Sequence, residues 1–344
     1  MMKPFLKSNA ILNDAAKLRR RAERDGHLFF RGLLSEKAVL RVRRDFARIL
    51  QRHGWLDDGT PAVDVVSSSE GFIEGSKESL PVFCEFQRLE SFHSLAHSAA
   101  IIGVLDKLFG EQTFVHPQKI GRISFPAKSN FTTPPHQDFV HIQGTKDCWT
   151  AWIPLGDCPR KLGGLAVFPG SQELGLLNLR RALGPGSSGV DVSNLDGEWR
   201  SSNFRAGDVL FFNSLTIHKA LPNTTKNRVR LSVDYRYQGV SQPLTKIQLS
   251  PHFDRFPWSV VYEGWKSRKY QYYWKNLPLT IAPFNLSLYR FDDGIAEKGK
   301  KVERSFHLPA DLSKKLTRHC KERNQLPSRL VRDLLSDYLE KNKG

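Results

Sequence analysis

The stretch GDVLFFNSLTIH, residues 207–218, and the shorter PPHQDF, residues 134–139, decide how this chain is read. In the second, His136 and Asp138 stand two apart. On a strand, residues i and i+2 point to the same face, so both side chains can reach one ion. The first is a β-rich run that ends in a third donor, His218, 82 residues beyond His136. Two imidazoles and a carboxylate occupy one face of an octahedral metal and leave positions open, the facial triad of non-haem Fe(II) oxygenases. An isolated HxD arises often by chance; what sharpens this one is a strand-borne histidine in the same β-rich region.

Outward from these motifs, the texture from Gln112 onward is β. Short runs rich in Val, Ile, Phe, Trp and Thr alternate with Pro/Gly turns: Lys119–Phe125, Trp149–Leu155, Gly164–Phe168, Val209–Phe212 and Val229–Tyr237. Many short strands with turn signals predict a sandwich or barrel. Val190–Arg200 reads as a polar loop between strands. Before Gly110 the chain reads mostly as helix, with Leu40, Val42, Phe46, Ile49 and Leu50 on one face and a second helix over Ile101–Leu108. Residues 240–292 are aromatic-rich, with Tyr270, Tyr272, Tyr273 and Trp274 close together. They are expected to form a helix and loops against the barrel.

Iron oxygenases of this type draw electrons from a second substrate, usually 2-oxoglutarate. Its distal carboxylate suits arginine, which pairs bidentately with carboxylates. The segment NRVRLSVDYRY (227–237) alternates Arg228, Arg230, Ser232, Asp234 and Arg236 with apolar residues, which predicts one shared strand face. If that face lines the barrel, one of these arginines can hold the co-substrate.

With these residues in place, the chain from about 20 to 290 resembles the phytanoyl-CoA dioxygenase family of Fe(II)/2-oxoglutarate-dependent oxygenases. The motifs PHQDF, TAWIPLGDC, LGGLAVFPGSQ, GDVLFFNSLTIHKALPN and RLSVDYRYQ carry the likeness. The resemblance implies a double-stranded β-helix, the cupin-like jelly roll, with His136, Asp138 and His218 as metal ligands. It implies Arg230 as the 2-oxoglutarate anchor, with Arg228 as the alternative. Gln137, Gln118 and Trp152 resemble positions that contact 2-oxoglutarate in relatives. The family's PGSH turn reads PGSQ here, with Gln172, a structural position. Because Asp138 is a carboxylate, where related halogenases carry a small residue, the resemblance implies hydroxylation of a small organic substrate by O2.

The remaining features bound the setting. The 344 residues allow one large domain and a small one. The expected division is an oxygenase domain over 1–293 (helical to 111, core 112–240, extension 241–293), a linker over 294–301 and a small domain over 302–344. No run of about 18 apolar residues predicts a membrane helix, and Met1–Leu12 does not read as a signal peptide. Cys84, Cys148, Cys158 and Cys320 lack CxxC spacing and read as thiols in a reducing cytoplasm rather than as zinc ligands. The net charge is +17; from Lys298 onward 13 basic residues face 6 acidic ones. Val302–Leu308, then stripes of Leu312, Leu316 and Cys320 and of Leu330, Val331, Leu334, Leu335 and Tyr338, read as strand, helix, helix. This resembles the ribbon-helix-helix fold, which implies a homodimer and outward residues Glu303, Ser305 and His307. DNA is the less favoured partner. An oxygenase acting as a DNA-associated regulator, or modifying nucleic acid or protein, is the alternative to a small-molecule hydroxylase.

Overall fold

The computed structural model describes residues 2–68, 71–72, 76–292 and 309–322, with positions 330, 331, 334, 335, 337, 338 and 341 beyond them. The chain falls into two compact units, Met1–Asp292 and Asp293–Gly344.

The first unit begins with α1 (Ala15–Asp25), whose start is capped by Asp14 accepting from the Lys17 amide and whose end is the left-handed Gly26. β1 (His27–Phe30), α2 (Glu36–Arg52), α3 (Leu80–Gln87), α4 (Glu90–Leu95) and α5 (Ala99–Phe109) follow. α2 buries Val39, Val42, Phe46, Ile49 and Leu50 along one face; Leu40 is only half-buried, so Val39 takes the place expected of it. β1 was not foreseen in this helical region. It pairs antiparallel with a strand nearly two hundred residues on, His27 opposite Phe212.

The β core comprises β2 (Thr113–Ser124), α6 (Phe139–Ile142), β3 (Trp149–Pro154), β4 (Leu165–Val167), β5 (Leu179–Arg181), β6 (Ser188–Val190), β7 (Val209–Asn213), β8 (His218–Ala220) and β9 (Arg230–Gly239). Five of these strands form an antiparallel sheet in the order β1-β7-β3-β9-β2. β4 and β8 form a second antiparallel pair. Side chains of both, among them Phe29, Trp152, Leu165, Val167, Leu210 and Phe212, share one apolar cluster, so the two layers pack as a sandwich. The result is mixed α/β with antiparallel sheets.

β9 is buried on both faces, and its alternation is what positions the site. Leu231, Val233, Tyr235 and Tyr237 face the helices: the Tyr235 hydroxyl donates to the Phe92 carbonyl at 2.7 Å and that of Tyr237 to Ala96 at 2.9 Å. Phe46 stacks on Phe86 with ring centroids 3.7 Å apart. Gly121 lies beneath this pair; a Cβ there would meet Phe46 ring carbons at 2.9 Å. The even-numbered residues of β9, from Arg230 to Arg236, take the opposite face, toward the sandwich interior.

After β9 the chain forms β10 (Leu244–Thr245), α7 (Trp258–Val261) and β11 (Ile281–Ala282), joined by short 3-10 turns. The expected helix here is a single turn. Leu244, Val261, Tyr262 and Trp274 instead build a small aromatic core around Phe114 of β2. In the second unit α8 (Ala310–Glu322) is a regular helix. The predicted linker 294–301, the strand Val302–Leu308 and its outward Glu303, Ser305 and His307 lie outside the described residues. No helix of the described residues is long and apolar enough to cross a membrane.

Candidate metal centre and active site

His136 and His218 are joined by two backbone hydrogen bonds: the His136 amide donates to the His218 carbonyl at 3.0 Å, and the His218 amide to that of His136 at 3.1 Å. Their rings lie 4.1 Å apart between centroids. Each ring turns Nδ1 toward a backbone carbonyl, Pro134 at 2.9 Å for His136 and Thr216 at 3.0 Å for His218. A carbonyl only accepts, so Nδ1 carries the proton and Nε2 presents its lone pair. Both Nε2 atoms face Asp138 Oδ1, at 3.6 Å from His136 and 3.9 Å from His218. One donor atom from each residue lies within 4.8 Å of the others. These residues fit a divalent iron: two neutral imidazoles, one carboxylate and a shared focus.

Asp138 sits just ahead of α6, and two interior strands reach it. Thr150 of β3 donates to Asp138 Oδ2 at 2.8 Å. Arg236 of β9, the cross-strand partner of Thr150, places Nη2 3.7 Å from Asp138 Oδ1. Burial alone would raise the Asp138 pKa; the Arg236 guanidinium is the largest opposing influence, and the carboxyl is held well below its usual range. Burial, then His136, pushes His218 down to about 3, so it stays neutral and able to ligate.

A cavity of about 380 Å3 opens on His136 and Asp138 of the triad. His136, Asp138, Gln118, Ile120, Arg122 and Arg236 form one side of it. Ile247, His252, Phe253, Phe284 and Tyr289, all from the extension after β9, form the other. A smaller compartment lined by Ser124, Thr132, Ala220 and Arg230 adjoins it, and Arg122, Thr133 and Pro185 belong to both. Arg230 is held there by its own hydrogen bonds, from Nε to the Gly163 carbonyl at 3.0 Å and from Nη1 to Ser232 Oγ at 2.6 Å.

The other expected site residues separate. Gln118 lines the cavity and accepts from Arg236 Nη1 at 3.3 Å. Arg228 is exposed and precedes β9, so it does not share the interior face. Gln137 points away from the cavity, as the residue between two same-face ligands must. Its side chain donates to the Gly175 and Leu215 carbonyls, both at 2.7 Å, and accepts from the Leu177 amide. Trp152 lies in the apolar cluster, 4.7 Å from the Phe204 ring. Gln172 ties its turn to α1 through the Glu23 carbonyl. Thr150, the placing of Arg236 beside Asp138, and His252 were not foreseen. For the first two the register could have served, because Thr150 faces Arg236 across β3 and β9.

The family model for phytanoyl-CoA dioxygenase matches residues 22–231, which span the triad and Arg230. The chain belongs to the phytanoyl-CoA dioxygenase family. A 1-deoxypentalenic acid 11-beta-hydroxylase of Streptomyces arenae is 31% identical over 244 residues, covering 67% of this chain and 83% of the relative. Its counterpart of Streptomyces exfoliatus is 27% identical over 254 residues, covering 69% and 86%. A solved structure, the epimerase SnoN with Fe3+, alpha ketoglutarate and nogalamycin RO, aligns over 66% of this chain and 84% of its own, with 21% identity and a TM-score of 0.49. As a member of the family, the protein is a 2-oxoglutarate-dependent dioxygenase that works with iron.

Proposed function

We propose that this protein hydroxylates a C–H bond of a small organic substrate, with Fe(II) held by His136, Asp138 and His218 and 2-oxoglutarate anchored by Arg230. The observation that carries this is the clustering of the three donor atoms beside a cavity that His136 and Asp138 line and that adjoins the Arg230 compartment. When bound, iron with 2-oxoglutarate activates O2, so that one oxygen atom enters the substrate and the other leaves in succinate, with release of CO2. The chain's own part is positional. The backbone carbonyls of Pro134 and Thr216 fix both histidine tautomers. Thr150 and Arg236 fix the carboxylate. Arg230, braced on Gly163 and Ser232, offers its guanidinium to the distal carboxylate of 2-oxoglutarate. Asp138 fills the position that must be vacant for halide binding, which favours hydroxylation. Succinate formation from 2-oxoglutarate by the Fe(II)-loaded protein tests the reading, and loss of that activity in His218→Ala assigns it to this centre.

For the second unit we propose self-association. Leu312, Leu334 and Leu335 are 48%, 58% and 43% exposed, more apolar surface than a single copy covers. Sedimentation of the full chain and of one ending at Asp293 tests this; the same oligomer in both rejects it. The basic tail also motivates the DNA-associated alternative, for which salt-dependent mobility shift on random duplex is the test. All four cysteines are free, which suits a reducing compartment such as the cytoplasm.

A further inference from the structure

Part of the cavity wall is made by a segment that the fold does not bury. Residues 283–292 run from the end of β11 to the end of the first unit, and Phe284 and Tyr289 within them line the cavity. None of these residues is buried, and Leu286 is 74% exposed. Leu288 and Tyr289, both half-buried, pack on the cluster of Val140, Phe168, Leu179, Val190 and Ile217. What holds the rest of this strap is hydrogen bonding, at three places.

The first is just past the metal ligand Asp138. Gln143, buried and with a left-handed φ of 54°, follows α6 and grips the Asn285 backbone twice. Its Nε2 donates to the Asn285 carbonyl at 3.0 Å, and its Oε1 accepts from the Asn285 amide at 2.7 Å. The second is the Tyr289 hydroxyl, hydrogen-bonded to His141 Nδ1 at 3.0 Å; both rings line the cavity. The third is a strand edge. The Leu179 amide of β5 donates to the Arg290 carbonyl at 2.6 Å, and the Asp292 amide donates to the Leu179 carbonyl at 2.8 Å. Beside it Asn178 Nδ2 donates to Asp292 Oδ1 at 2.8 Å. Leu179 in turn lies opposite Val190 of β6, whose amide donates to the Pro135 carbonyl at 2.7 Å. The strap is thus the outer row of a hydrogen-bonded layer that reaches the residue before His136.

A segment with little buried surface and a few polar pins opens locally more readily than the sheet beneath it. Elements that admit ligands are drawn from that low-stability end of a structure. We propose that residues 286–292 are a gate on the active-site cavity, hinged where Gln143 grips Asn285 and latched by Tyr289 on His141. 2-Oxoglutarate and substrate reach the iron when the latch opens. What passes rests on the iron and 2-oxoglutarate reading of the cavity; the opening of the strap does not. The whole gate lies beyond residue 231, where the family match ends.

A reversible lock tests it. Asn178→Cys with Asp292→Cys puts two thiols where a side-chain hydrogen bond now joins the start of β5 to the gate; oxidation links them and a reductant frees them. Binding of 2-oxoglutarate to the full chain loaded with Fe(II) is followed without oxygen by stopped flow, on the charge-transfer absorption of the complex. The oxidised double variant is expected to bind and release 2-oxoglutarate about tenfold or more slowly at unchanged Kd, and reductant should restore both rates. Tyr289→Phe should speed both by about two- to tenfold, the worth of one hydrogen bond, again at unchanged Kd. Hydrogen exchange on the full chain supplies a readout that needs no ligand. Amides of 286–292 are expected to exchange well ahead of those of β9, and faster still in Tyr289→Phe. The proposal is overturned if the lock leaves both rates as they are, if it changes Kd in step with them, or if the strap exchanges as slowly as β9. Failure of the wild type to bind 2-oxoglutarate sinks the reading of the cavity, and exchange then decides the gate alone.

Discussion

Thr150 donates from Oγ1 to Oδ2 of Asp138 at 2.8 Å and leaves Oδ1 as the oxygen turned toward the two histidines. The hydroxyl therefore chooses which carboxylate oxygen meets the ion. Thr150→Val keeps the shape of the side chain and removes the donor. Partners of metal ligands typically contribute about 10–100-fold in affinity. Fe(II) affinity of the variant, measured by chelator competition, is expected to fall within that range. An unchanged affinity would leave Arg236 as the only orienting group.

Asp138 carries a second load, because it is the counter-charge of the buried Arg236, whose Nε has no partner of its own among the described residues. Asp138→Ala should abolish succinate formation and also lower the melting temperature. Removing one member of a buried ion pair costs about 3–5 kcal/mol. In the double variant Asp138→Ala/Arg236→Met the melting temperature should largely recover while turnover stays absent. If both variants melt together, the pair contributes nothing to stability.

Arg230→Ala should raise the KM for 2-oxoglutarate far more than Arg228→Ala does. A buried charge-assisted pair is lost in the first, a cost of about 2–5 kcal/mol. In the second an exposed side chain is trimmed outside the strand. Steady-state kinetics on the two variants decide the matter, and the reverse ranking would move the anchor to Arg228.

Lys119 lies on the helix-facing side of β2, where Nζ donates to the carbonyls of His116 at 3.1 Å and Pro117 at 3.3 Å. Burial pushes its pKa from the ordinary 10.5 to about 7. Between those values the unfolded chain holds a proton that the folded chain has lost, so stability rises with pH across that window. Below about 7 both states are charged and the full penalty is present. Lys119→Met is expected to melt higher than the wild type near neutrality, with the gap closing as pH rises toward about 10. Melting curves across that range test it; a gap that does not change with pH refutes the assignment.

The centre itself was legible because period-two alternation survives folding. His136 and Asp138 share a face, His218 closes a strand-rich run, and Arg230 and Arg236 fall on the interior side of β9. Alternation gives the face but not the depth. It could not tell that the strand begins at Arg230 and excludes Arg228, or that Arg236 lies beside the iron ligand while Arg230 occupies the next compartment. β1 was hidden for a different reason: His27–Phe30 is four residues, buried on both faces, and so has neither alternation nor length to oppose the helices around it. The wall bearing His252 was least legible of all, because a chain of single turns has no period to detect.

The reciprocal amide bonds between His136 and His218 have a consequence for how this protein meets metals in a cell. Two of the three ligands are clamped to each other by the fold, before any ion arrives. Loading then demands no ordering of the chain, and a pre-set cradle gives a binding advantage to every ion of suitable size. Its two nitrogens and one oxygen rank first-row divalent ions by intrinsic avidity, in which copper and nickel stand above iron. The identity of the resident metal thus depends on supply as well as on the pocket. Protein raised in nickel-rich medium should emerge filled and inert, and lose that block only after chelation and reloading under ferrous, oxygen-free conditions.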